Sequence, residues 1–164
     1  SEPLADYPRI PAVENAPPQV ATWDQSPSIV VCEHAPISLA QIKSATKFWQ
    51  NLGYKFKNIK YKDEVTKSIC NSESPWGHIV IHLVDKETKL EDTALAQTSF
   101  FVDNLTGKIN WATIKMRSDI RETVLEHELG HALGFLHFNR IDHLMNPAWE
   151  MGGWNTLGLK SNQR

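Results

Sequence analysis

The sequence predicts one α+β domain, and three observations lead there. The elements run strand, helix, several strands, helix and then an irregular tail, an order that lays a helix on a sheet late in the chain. The length, 164 residues, is close to the commonest size of a single domain. Apolar residues make up 41% of the chain and charged residues 22%, which supplies one core and argues against wholesale disorder.

Residues 1–27 contain Pro3, Pro8, Pro11, Pro17, Pro18 and Pro27. Proline fixes φ and pushes its predecessor to extended geometry, so this arm is expected to be neither helix nor central strand. It either lies along the domain or is a mobile tail. Residues 28–32, a short β-branched run, read as a buried strand. Ser38 then precedes Leu39, Ile42, Ala45, Phe48, Trp49 and Leu52, apolar at helical spacing, and Gly53 stands where a helix would stop. Residues 56–61 and 78–84 read as strands. So do 95–102 and 108–116, joined by a hairpin turn that ends in Gly107. Ser118 and Asp119 are expected to open a second helix, with Asp119 and Glu122 at capping-box spacing. That helix would run to about Leu133 and stop at Gly134.

Seventeen basic against nineteen acidic residues leave a formal charge of -2. This balance gives no electrostatic footprint for nucleic acid and no polybasic patch for an acidic membrane. No apolar run approaches the length of about 18 residues that spans a bilayer. Nothing at Ser1 reads as a signal peptide, so a cytosolic or already processed chain is expected. The two cysteines, Cys32 and Cys70, fit one disulfide or two buried thiols equally well.

The segment from His127 to His137 carries the chemistry. Positions four apart on a helix share a face about 6 Å apart along the axis, so His127 and His131 can grip one ion. Leu125, Leu129 and Ala132 lie nearly opposite and would pack on the sheet. Glu128 falls between the two faces, where a carboxylate can take a proton from water without displacing a ligand. If Gly134 adopts the left-handed conformation at the helix end, the chain turns sharply and His137 swings back towards the ion. Three neutral imidazoles leave a fourth zinc position open, which marks a catalytic rather than a structural site. Chance would supply all five fixed positions on the order of once in 10⁴ to 10⁵ chains of this composition.

The pattern His127-Glu128-x-x-His131-x-x-Gly134-x-x-His137 resembles the long zinc-binding motif of the metzincin metallopeptidases. The run from Asp142 to Pro147 is similar to the family's methionine turn, with Met145 beneath the ligands, and the nearest look is to the matrixin branch. Three features depart from the family: Phe138 follows the third ligand, Asn146 stands where tyrosine is usual, and only 19 residues follow Met145.

The resemblance implies a metzincin-like zincin with a twisted, mainly parallel sheet and an antiparallel edge strand. The upper catalytic subdomain would cover 28–137 and a short irregular lower subdomain 138–164. It further implies one catalytic Zn2+, a monomer, and an extended peptide or protein substrate added as a strand to the sheet edge. Leu95 and Ala96 would bind the peptide near the scissile bond, and Pro147 and Ala148, with Trp149, would wall the S1′ pocket. In the family's strand order the strands next to Cys32 and Cys70 are neighbours. That favours a Cys32–Cys70 disulfide and an extracellular or secreted protein, against a cytoplasmic one with free thiols. His78 and His82 share a strand face, but two histidines on a sheet are expected there rather than a second metal site.

Two other readings stay open at this stage. One is a zinc-binding structural or adhesion module without turnover, for which Glu128 has no use. The other is a latent enzyme whose arm crosses the cleft and offers Asp6, Asp24 or Cys32 to the metal.

Overall fold

A computed structural model describes residues 16–88, 90 and 94–161. Among the described residues the protein is α+β, with a mostly parallel six-stranded sheet and three α-helices. The strands are β1 (Thr22–Trp23), β2 (Ser28–Val31), β3 (Ile59–Tyr61), β4 (His78–Leu83), β5 (Ala96–Val102) and β6 (Lys108–Met116). The helices are α1 (Leu39–Asn51), α2 (Thr66–Cys70) and α3 (Val124–Ala132). Strands β3, β2, β4 and β6 follow one another in parallel, while β5 pairs antiparallel with β6 and β1 adds a short parallel piece to β6.

All four residues of β2 are buried, because β3 and β4 flank it and both of its faces are covered. Ile29 and Val31, with Ile79 and Ile81 of β4 and Ile114 of β6, face the main core beneath α1 and α3. Val30, Cys32 and Val80 face the other way and pack against Ile69 and Cys70. Helix α2 was not expected from the sequence: five residues with no side-chain cap carry too little periodicity to signal a helix. It forms because it lies over this second apolar patch.

Cys32 and Cys70 are joined in a disulfide, with Cα atoms 6.0 Å apart, and so pin α2 to the end of β2. The closed loop spans 38 residues, for which the chain-entropy model gives about 4 kcal/mol as an upper figure. Reduction, or Cys32→Ala with Cys70→Ala, is therefore expected to cost about 2–4 kcal/mol in denaturant unfolding. An unfolding midpoint that ignores reductant would contradict this.

Helix α1 starts as its residues dictate. The Ser38 hydroxyl accepts from the Gln41 amide, and the Gln41 side chain accepts from the Ser38 amide, closing a capping box. Ile42, Ala45 and Trp49 form its buried face, and Gly53, at φ +98°, turns the chain out. The Trp49 indole then donates to the Glu126 carbonyl, tying α1 to α3.

Helix α3 begins later than expected. Residues before Val124 are not helical, and Thr123 sits left-handed at φ +71°. Asp119 and Glu122 form no capping box there. The cause is tertiary: the Trp149 indole donates to the Glu122 carbonyl, and the Arg121 guanidinium lies 5.0 Å from the Trp149 ring centre. These contacts hold residues 121 and 122 outside the helix.

Candidate metal centre

Helix α3 aims two imidazoles at one point. The Nε2 atoms of His127 and His131 are 3.1 Å apart, and those of His131 and His137 are also 3.1 Å apart. The Nδ1–H of His127 donates to the Leu144 carbonyl at 2.6 Å, and that of His131 donates to the Phe135 carbonyl at 2.8 Å. A carbonyl only accepts, so each Nδ1 carries the proton and each facing Nε2 presents a bare lone pair when the ring is neutral. Burial, and next the neighbouring His127, pushes the His131 pKa well below its ordinary value. Burial likewise pushes His137 down to about 3, with His131 and His127 adding to the shift. Two lone pairs facing each other repel, and a cation between them removes the repulsion.

The three nitrogens could hold a metal ion, and they lie within 4.8 Å of one another. The 3.1 Å His127–His131 and His131–His137 separations are close to the roughly 3.3–3.4 Å that metal–nitrogen bonds of about 2.0–2.1 Å set between neighbouring ligands of a tetrahedral ion. The carbonyls that orient the His127 and His131 rings come from the helix end and from the loop before Met145, so the partners behind these two rings are backbone.

Gly134 makes the turn that returns His137, at φ +100°. Its Cα faces Ala21 so closely that an added Cβ would overlap the Ala21 carbonyl oxygen. The described part of the N-terminal arm accounts for this crowding. The Val20 amide donates to Gly134, the Leu136 amide donates to Pro18, the Gln19 side chain to Leu133 and the Trp23 indole to Ala132. These contacts occupy the free carbonyls at the end of α3 and clamp the chain that leads to His137. Thus residues 18–23 run along the end of α3. Asp24 follows in the arm, Cys32 is committed to its disulfide, and Asp6 lies outside the described residues.

Met145 is fully buried below α3. A Cβ on Gly130 would meet the Met145 sulfur at 2.6 Å and the Trp49 ring at 2.9 Å, so glycine between His127 and His131 is what admits the methionine. The Met145 amide donates to His143 Nδ1, and the opposite nitrogen of that ring donates to the Leu157 carbonyl. Asn146 donates to the Arg140 carbonyl and accepts from the Ala148 amide. His143 and Asn146 therefore lock the turn by side-chain bonds. Sequence reasoning assigned neither of them a role, although a polar pair flanking Leu144-Met145 in a turn was the available signal.

Glu128 is buried, and Thr98 of β5 donates to its Oε1 at 2.6 Å. Thr98 was also missed. Its signal was a hydroxyl on the same strand face as Ala96 and Phe100. Leu95 precedes β5, and its carbonyl accepts from the Arg117 amide; Ala96 opens the strand. Pro147 is exposed and Ala148 half-buried, just past Met145. His78 is engaged elsewhere: its Nδ1 donates to the Trp76 carbonyl, and its Nε2 lies 3.4 Å from Lys60 Nζ. Burial, then Lys115, holds the His82 pKa low. Among the described residues the one group of three or more side chains able to hold a metal is His127, His131 and His137. No described helix is long and apolar enough to cross a membrane. Compared with protein-family models and with curated proteins, the chain matches none.

Proposed function

We propose that the chain is a zinc-dependent endopeptidase of the metzincin type. The observation that carries this reading is the convergence of three imidazoles beside one buried carboxylate, with two of the rings pinned through Nδ1. Zinc bound by His127, His131 and His137 would polarise a carbonyl and lower the pKa of a water to about 7. Glu128 accepts a proton from the attacking water and returns it to the leaving amide nitrogen. Strand β5, which pairs only with β6 among the described residues, offers its other edge to an extended peptide. Leu95 and Ala96 would bind that peptide, and Pro147 and Ala148 would wall the pocket beyond the scissile bond. The parallel run of β3, β2, β4 and β6 with antiparallel β5 matches the coarse expectation of a mainly parallel sheet with one antiparallel strand, and it is compatible with this reading. The disulfide favours an oxidising compartment, and we place the protein outside the cell.

A metal-binding module without turnover is the rival, and Glu128 speaks against it. Burying a carboxylate with a single side-chain partner costs stability, and a scaffold gains nothing from it. The test is metal analysis joined to cleavage profiling on a proteome-derived peptide library. One zinc per chain is expected, with cleavage lost to a strong chelator and restored by added zinc. An active preparation indifferent to chelation would sink the proposal, as would a zinc-loaded chain that cleaves nothing.

A further inference from the structure

Thr98 sits inward on β5, across from Ile114, on a face it shares with Ala96 and Phe100. A valine would fill the same space without a polar atom to satisfy. The hydroxyl has one proton and two acceptors near it: Glu128 Oε1 at 2.6 Å and the Glu128 backbone carbonyl at 3.3 Å. The shorter contact takes the proton. Among the described residues no other side chain hydrogen-bonds this carboxylate.

Resting on the peptidase reading, we infer that Thr98 is a positioning residue for Glu128, holding one carboxylate oxygen and leaving the other unpartnered to handle the proton. A glutamate side chain turns about three torsions, and the last, which sets the carboxylate plane, is broad rather than held in one well. The 2.6 Å bond to a strand residue sets that plane before substrate arrives. Pre-set orientation of this kind acts on the rate of the chemical step, where a misplacement of about 1 Å can cost about 10²-fold. The anchor also lies on the strand whose free edge would receive the peptide. Binding and base orientation thus share one rigid element.

The experiment uses the full zinc-loaded chain with Thr98→Val and Thr98→Ser. Thr98→Val is expected to lower kcat about 10- to 100-fold with KM within about threefold, since the hydroxyl touches the base rather than the substrate. Thr98→Ser, which keeps the hydroxyl, restores kcat to within about threefold. Zinc affinity, read by competition with a chromophoric chelator, stays within about threefold in both. A second readout needs no turnover: in a double-mutant cycle of Thr98→Val with Glu128→Ala, the unfolding equilibrium shows coupling of about tenfold or more. Thr98→Ala serves the same comparisons if Thr98→Val does not fold. A cleaving wild type with Thr98→Val at full kcat overturns this inference alone, as does a cycle with no coupling. Equal loss in Thr98→Val and Thr98→Ser overturns it too, because the hydroxyl would not be the active feature. A wild type that binds zinc and cleaves nothing overturns the peptidase reading, and this inference falls with it.

Discussion

Glu128→Ala is expected to lower peptide hydrolysis by at least about 10²-fold, the usual contribution of a general base, while the chain keeps its fold and its metal. Two of the three imidazoles that would hold the ion, His127 and His131, are oriented by the Leu144 and Phe135 carbonyls, and neither bond involves Glu128. The vacated Thr98 hydroxyl does not become an orphan, because the carbonyl of residue 128 already lies 3.3 Å away. Stability should therefore hold or rise, since a buried carboxylate with one side-chain partner costs free energy in the native state. Zinc content, thermal unfolding and kcat/KM measured together check the result. A variant that is more stable, metal-loaded and inactive shows a residue kept for chemistry. Wild-type turnover in Glu128→Ala would mean that another group takes the proton.

Gly134→Ala is expected to damage the site most among substitutions outside it. Two costs add. A side chain at φ +100° is strained by about 1–2 kcal/mol, and the new Cβ would overlap the Ala21 carbonyl oxygen, which is backbone and cannot swing aside. Relief requires the arm to lift from the end of α3, breaking the bonds from Val20 to Gly134 and from Leu136 to Pro18. A total loss of at least about 3 kcal/mol follows from strain plus those bonds. His137 lies three residues on, so metal affinity should fall about 10- to 100-fold, the range typical for removing support behind a ligand. Gly107→Ala is the control. That glycine has φ +72° with nothing within 4 Å of the added Cβ, so it carries strain without a clash. It should cost about 1–2 kcal/mol and leave metal affinity alone. Equal effects at the two glycines would show that conformation alone matters and that the arm does not clamp the metal loop.

These two residues also mark how far a linear reading reaches. Helix α1 was legible from Ser38 to Gly53 because its cap, its apolar face and its stop are all local, and the capping box closes within three residues. Strands β2 to β6 were legible from their apolar runs and turn residues, with ends shifted by up to three residues, whereas β1 lies in the proline-rich arm, where only an extended segment or a tail was expected. The convergence of His127 and His131 was legible too, since residues four apart on a helix share one face. Gly134 was legible as a turn, and its φ follows from the need to reverse the chain after α3. What crowds that turn was not legible. Ala21 and Gly134 meet because the arm packs on the helix end, and no periodicity links positions so far apart. The start of α3 shows the opposite failure. Asp119 and Glu122 carry a sound local capping signal, and contacts from Trp149 to residues 121 and 122 override it. Propensity contributes tenths of a kcal/mol per residue, and tertiary contacts can outweigh it even at the surface, where Trp149 sits. The Thr98–Glu128 and His143–Leu157 bonds belong to the same class, joining residues 30 and 14 apart. Side-chain pattern along a chain records which face a residue presents. Which partner meets that face is decided only when separate segments close on one core.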